Sequence, residues 1–293
     1  MSIKKGIYAA SMTVINKDLS VNIDFTIEHS ERLIKQGCHG VVIGGSTGMS
    51  QLISSNEKRK LIDKMSASKL KDNFVFGTGA NSMNENVQLM KHCIGNGINK
   101  FLIMPSAYYK YDDDGAYAFY ANIIERVPES KIILYNFSKL SGYSFSIKII
   151  EKLIKDFQKQ IVGLKDSDYK IYDKLKIPDF MIFPGSETKL LKGLELGNSG
   201  IISAICNVTA PLARKVYDDF LGKKKQTFNE RLCAIRKVFD KNNLISGLHS
   251  FMSIEDEKYK IVLPPLSLLS KEQEKQMIDE LKNLNFYPQK KAA

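Results

Sequence analysis

The chain reads as an α/β protein in which eight short apolar strands alternate with helical stretches before a tail of helices alone. Three observations predict this. The 293 residues are 43% hydrophobic, enough for one large core. Short runs rich in Val, Ile and Phe recur near 6–12, 40–44, 73–77, 99–104, 131–136, 161–165, 181–184 and 200–203. Beyond them the pattern turns helical over 207–221, 225–254 and 270–285. Eight strands alternating with helices fit a closed parallel barrel, with a doubly wound open sheet as the runner-up from pattern alone.

Between the strands, Ser54-x-x-Glu57 and Ser82-x-x-Glu85 each open a helix as a capping box, and Ser270-x-x-Gln273 does so for the last one. Pro264-Pro265 breaks the chain before that helix. There is no internal repeat, and Gln289 to Ala293 is expected to be a frayed end.

The sixth strand, Ile161-Val162-Gly163-Leu164-Lys165, ends a buried run in a lysine. An ammonium is strongly hydrated and is seldom buried without a partner. Desolvation disfavours its charged form and frees the amine as a nucleophile, which is how Schiff-base lysines are prepared. Taken alone, the run reads as a lysine that snorkels out at a strand end. Two other segments shift that reading.

Val41-Val42-Ile43 runs into Gly44-Gly45-Ser46-Thr47-Gly48, a glycine turn enclosing two hydroxyls. Glycines let the backbone approach a ligand, and consecutive amides with the Ser46 and Thr47 hydroxyls suit a carboxylate. The spacing fits neither a dinucleotide fingerprint nor a Walker loop. Ile132-Ile133-Leu134-Tyr135 ends another strand in a phenol. A tyrosine there packs half-buried, but beside an amine it also serves as a general acid/base.

Composition excludes other classes. The net charge of +11 is spread through every helix without aromatic interleaving, and the densest cluster is Lys223-Lys224-Lys225, so no nucleic-acid partner is expected. No apolar run reaches the ~18 residues of a membrane span, and no secretion signal opens the chain, so a cytoplasmic protein without membrane contact is expected. Cys38, Cys93, Cys206 and Cys233 are scattered and read as free thiols. His29, His39, His92 and His249 lack metal-ligand spacing, so no metal is expected.

Together, Gly44-Gly45-Ser46-Thr47-Gly48, Tyr108-Tyr109, Tyr135-Asn136, Lys165, Gly185-Ser186-Glu187-Thr188 and Gly200-Ile201-Ile202-Ser203 resemble, in order and spacing, the pyruvate-dependent class I aldolase family that contains dihydrodipicolinate synthase and N-acetylneuraminate lyase. The resemblance decides for a TIM (β/α)8 barrel over residues 1–222 with a small C-terminal helical domain over 223–293. It implies a lyase in which Lys165 forms an imine with pyruvate, with no other cofactor. It implies further that Ser46, Thr47 and Gly48 hold the pyruvate carboxylate, that Ile202 offers a carbonyl, and that Tyr135 moves protons. Tyr108, or Tyr109, would reach in from a neighbouring subunit to complete a relay with Tyr135 and Ser46. Ser167, Gly185, Ser186, Glu187 and Ser203 would line the variable half of the pocket, with Glu187 accepting from a polyol. A homotetramer built as a dimer of dimers is implied.

Departures from the family bear on the second substrate. Leu140 stands where the synthase carries the arginine that grips aspartate semialdehyde, and an isobutyl group cannot replace a guanidinium fork. Lys139 is adjacent, but in an extended segment its side chain points elsewhere. Met49 replaces a glutamate after Gly48. The expected substrate is therefore a 2-keto-3-deoxy sugar acid or a sialic-acid-like compound, with the synthase reaction as the alternative. A binding protein without catalysis on the same scaffold is the reading from another class.

Overall fold

The computed structural model describes residues 3–288. Its strands are β1 (Gly6–Ala10), β2 (Gly40–Ile43), β3 (Phe74–Gly77), β4 (Lys100–Ile103), β5 (Lys131–Asn136), β6 (Ile161–Asp166), β7 (Met181–Pro184) and β8 (Gly200–Ser203). Helices α1 (Ile23–Lys35), α2 (Ser55–Ala67), α3 (Met83–Gly95) and α4 (Asp113–Arg126) follow the first four strands. A helical turn, α5 (Ser138–Ser141), and α6 (Ile147–Asp156) follow β5, and α7 (Leu190–Glu195) follows β7. After β8 come α8 (Cys206–Leu221), α9 (Asn229–Phe239), α10 (Leu244–Ser253) and α11 (Lys271–Asn283).

All strand pairs are parallel, in the order β7-β6-β5-β4-β3-β2-β1-β8. The Ser199 amide, just before β8, donates to the Ile182 carbonyl of β7 at 2.9 Å and brings the two ends of the sheet together. The result is a nearly closed (β/α)8 barrel, as the strand pattern predicts.

Side-chain alternation divides each strand between two cores. Tyr8, Ala10, Val42, Val75, Leu102, Ile133, Tyr135, Phe183 and Ile202 fill the barrel interior. Their neighbours, such as Ile7, Val41, Phe74, Phe76, Phe101, Leu134 and Ile201, pack outward with helix residues including Leu33, Leu61, Met90, Ile123 and Leu153. Burial on both faces makes the strands read as continuous apolar runs. Each such Leu, Ile or Phe stabilises the fold by about 1.5–3 kcal/mol.

The expected single helix over 225–254 is corrected to two. Asn243 leaves helical geometry at φ −60°, ψ 122°, and its Oδ1 accepts from Ile245 N and Ser246 N, capping α10. A third core joins these helices to the barrel: Ile235, Phe239, Leu248, Phe251, Tyr259 and Met277 pack with Met12, Val14, Phe25 and Ile205. Reciprocal capping boxes form at Ser54/Glu57 and Ser270/Gln273. At Ser82 the hydroxyl accepts from Glu85 N, but the Glu85 carboxylate instead bonds Ser55 and Lys58. Among the described residues no helix is long and apolar enough to cross a membrane. The expected frayed end, 289–293, lies outside the described residues.

Candidate active site

Lys165 and Tyr135 stand opposite one another near the carboxyl ends of β6 and β5. Their orientation depends on an irregularity. Ile132 pairs with Ile161 but Ile133 pairs with Gly163, so the register slips by one residue and Val162 has no opposite number. Val162 packs with the interior, and strict alternation would send Lys165, three residues on, to the outer face. The slip restores it to the interior, where its Nζ lies 4.1 Å from the Tyr135 ring centroid.

Among the described residues three lysines are buried, and two of these have polar partners. Lys58 donates to Gly79 O at 3.2 Å and pairs with Glu85 at 3.5 Å, while Lys100 donates to Asp72 O at 2.5 Å. Lys165, 6% exposed, has no hydrogen bond or ion pair among the described residues; the Tyr135 ring face is its contact. Tyr135 is 5% exposed and stacks on Phe137 at 6.1 Å. Asp166, adjacent in sequence, does not neutralise Lys165. Its carboxylate accepts from Asn136 Nδ2 and from the amides of Asp168, Tyr169, Ile171 and Tyr172 at 2.9–3.2 Å. It organises the loop beyond β6 and leaves the amine unpaired. Sequence reasoning missed this role of Asp166, whose only signal was a buried-strand position.

Gly44, at φ 76°, opens the loop after β2; a Cβ there would fall 2.4 Å from Gly77 O, so the ends of β2 and β3 meet through glycine. Ser46–Gly48 then form a 3-10 turn, with Ser46 half-buried and Thr47 and Gly48 buried. Ser46, Gly44, Asn81, Leu102, Met104 and Tyr135 line one cleft. Thr13 Oγ1, buried without a hydrogen-bond partner, lies 2.8 Å from where a Cβ on Gly48 would be. Met49 is buried, and its sulfur accepts from Leu263 N at 3.5 Å.

Tyr108 and Tyr109 project from the loop after β4, 89% and 77% exposed, edge to face at 5.1 Å. Tyr108 has a positive φ of 85° and Tyr109 does not.

The ends of β7 and β8 hold a buried ion cluster. Ile202 fills the interior, so Ser203 faces the helix layer. There Ser203 Oγ donates to Glu187 at 2.7 Å, Cys206 Sγ lies 3.3 Å from the other Glu187 oxygen, and Arg236 Nη1 donates to Glu187 at 3.0 Å. Arg236 also pairs with Asp240 at 2.8 Å through Nε. Burial opposes its charge, but the Glu187 and Asp240 carboxylates outweigh that and raise its pKa above the usual arginine value. Glu187 is 0% exposed, and both its oxygens are engaged within the protein. Arg236, on α9, was not singled out from sequence because nothing local marks a helix arginine as buried. Ser186 is buried and bonds Thr188, while Ser167 and Gly185 are half-buried, with Ser167 Oγ against the α-carbon side of Gly185.

The segment with Lys139 and Leu140 is a helical turn rather than the extended run expected. Both Asp168 oxygens accept from Ser138 N at 3.0 Å, and Gly142 ends the turn at φ 75°. Leu140 is 46% exposed and Lys139 is exposed. Among the described residues no three His, Cys, Asp or Glu side chains converge as metal ligands.

A (β/α)8 barrel with an unpaired lysine, a phenol and a hydroxyl-bearing glycine loop at the carboxyl ends of its strands defines a class of barrel enzyme site. The model of the dihydrodipicolinate synthetase family matches residues 4–284, and the chain belongs to that family. An uncharacterized DapA-like lyase of Chloroflexus aurantiacus is 27% identical over 280 residues, 91% of this chain and 93% of that protein. An N-acetylneuraminate lyase of Clostridium perfringens is 28% identical, covering 73% of this chain and 75% of its own. A 4-hydroxy-tetrahydrodipicolinate synthase of Methanopyrus kandleri is 27% identical, covering 97% and 98%. The crystal structure of dihydrodipicolinate synthase from Agrobacterium tumefaciens superposes with a TM-score of 0.87 at 24% identity, over 96% of this chain and 99% of that one.

Proposed function

We propose that this chain is a Schiff-base-forming aldolase or lyase that makes or breaks a carbon–carbon bond between pyruvate and an aldehyde. The buried, unpartnered Lys165 against the Tyr135 ring carries this reading. The neutral amine adds to the keto carbon of pyruvate, and loss of water leaves a protonated imine. Removal of a methyl proton then gives an enamine, whose terminal carbon attacks the aldehyde; cleavage runs these steps backwards. Tyr135 moves protons to and from the departing oxygen. Ser46, Thr47 and the Gly48 amide receive the pyruvate carboxylate, and Ile202 contributes its carbonyl. Tyr108 enters the pocket of a neighbouring subunit, and its positive φ supports it over Tyr109, because such strain concentrates at functional positions. A homotetramer assembled from dimers, in the cytoplasm, follows from the same reading.

For the second substrate, a 2-keto-3-deoxy sugar acid or sialic-acid-like compound is favoured, since Leu140 offers no charge to a second carboxylate. Ser167 is the group left to meet its hydroxyls, because Glu187 and Ser203 bond each other, Ser186 bonds Thr188, and the Gly185 amide and carbonyl bond Asp166 and Arg236. Synthesis of 4-hydroxy-tetrahydrodipicolinate from aspartate semialdehyde is the alternative.

Borohydride reduction with pyruvate, followed by intact mass and peptide mapping, tests the chemistry. An adduct on Lys165 is expected; no adduct would leave a binding protein, and labelling elsewhere would displace Lys165. Pyruvate release from a panel of 2-keto-3-deoxy acids, beside condensation with the semialdehyde, separates the substrates.

A further inference from the structure

A tyrosine at φ 85° is held in a conformation that side chains other than glycine avoid, and this persists only where the surroundings over-determine it. Two residues do so, Asn81 from outside the loop and Tyr111 from its far end, just before α4. Asn81, between β3 and α3, accepts the Ala107 amide on Oδ1 at 3.0 Å and the Ser106 hydroxyl on its carbonyl at 2.8 Å. Tyr111 donates its hydroxyl to Ser106 O at 2.6 Å while its ring stacks on Tyr143 at 5.1 Å. Asn81 is itself anchored. Buried Lys58 on α2 donates to Gly79 O at 3.2 Å, and Asn86 on α3 donates to Ala80 O at 2.9 Å. Bonds thus run from two packed helices, through Asn81, to the two residues immediately before Tyr108.

We infer that Asn81 is a positioning residue for Tyr108: it fixes the backbone from which the phenol reaches out, so that the ring arrives at the neighbouring pocket without a search. The inference rests on the reading of Tyr108 as a subunit-shared proton relay. Asn81 does not exchange protons itself, since a neutral amide has none to give at working pH. Its side-chain carbonyl and main-chain carbonyl grip consecutive residues, which fixes both the position and the direction of the loop as it enters the strained residue.

The test uses the full chain and pyruvate alone. Deuterium entry into the pyruvate methyl group from heavy water reports imine and enamine formation without the second substrate. Asn81→Ala, Tyr108→Phe and the double variant are compared. Asn81→Ala should slow exchange about tenfold, the scale of a lost positioning hydrogen bond. It should leave the borohydride adduct on Lys165 and the oligomeric state unchanged, and add nothing in the Tyr108→Phe background. Tyr111→Phe, which keeps the stacked ring, should behave likewise and carries the test should Asn81→Ala misfold. Undiminished exchange in both loop-anchor variants, or effects that multiply in the double variant, would overturn the inference. Undiminished exchange in Tyr108→Phe would instead remove the relay beneath it, and absence of any adduct in the wild type would remove the Schiff-base reading.

Discussion

Lys165 Nζ rests 4.1 Å from the centroid of the Tyr135 ring, and the two residues face each other across a parallel strand pair. The arrangement leaves the amine with a π face and no carboxylate. The phenol follows from the same strand position, so the amine and the phenol of the proposed chemistry are fixed by one stretch of backbone pairing.

Tyr135→Phe keeps the ring under Lys165 and removes only the hydroxyl. Turnover should fall roughly 100-fold or more, with little change in pyruvate affinity, as expected of a general acid/base. Lys165→Ala should abolish turnover and adduct while keeping the circular dichroism of the wild type. Steady-state rates and single-turnover trapping with pyruvate check both; unchanged turnover in the phenylalanine variant would make Tyr135 a packing residue.

Arg236 and Glu187 are both buried, and each is the other's main counter-charge. Arg236→Met alone should destabilise by about 3–5 kcal/mol, because it strands a carboxylate that has no access to water. Paired replacement, Arg236→Met with Glu187→Met, should recover most of that loss. Urea unfolding of the four proteins gives the coupling. Additive losses in the double variant would mean that the two charges act separately.

Acid should loosen the seam between the barrel and its C-terminal helices. His29 bonds Asn207 and Tyr259, and His249 bonds the Tyr259 carbonyl. Burial, aided by Arg32, lowers the His29 pKa to about 3, and burial lowers that of His249 to about 4. Unfolded histidines titrate near 6.5. Above that pH neither state is protonated and the pair contributes no pH dependence. As the pH falls below it, the unfolded chain binds protons that the folded chain refuses, so stability drops by up to about 1.4 kcal/mol per unit for each histidine. The drop ends as the folded-state values are reached. Urea midpoints at pH 7 and pH 5 should differ by less in His249→Gln than in the wild type. An equal difference would show that His249 takes no part.

Much of the architecture was legible because barrel strands buried on both faces announce themselves as apolar runs, and the helix starts were written in Ser54 and Ser270. The buried lysine was visible as Lys165 at a strand end, although the register slip at Val162 that turns it inward was not, since an unopposed residue leaves no mark on the pattern. The break at Asn243 was missed because helical residues continue on both sides of one capping side chain. Glu187 read as a polar group for a ligand; its actual partner, Arg236, lies 49 residues away, and no local pattern encodes such a pairing.

The second substrate turns on Leu140. The turn that carries it is pinned by Asp168 to Ser138 N, so Leu140 is not free to exchange places with Lys139. A carboxylate leaving water needs a matching charge, and the group bonded to the start of this turn is the carboxylate of Asp168, of the same sign as the substrate. Condensation with aspartate semialdehyde should therefore be poor. Leu140→Arg should raise its catalytic efficiency and weaken cleavage of any sugar acid, because the new guanidinium supplies a bidentate partner for one substrate and bulk against the other. The comparison to make is catalytic efficiency on both substrates in wild type and variant. Efficient semialdehyde condensation by the wild type would mean that another cation reaches the pocket, and the synthase reaction would then replace sugar-acid cleavage as the proposed function.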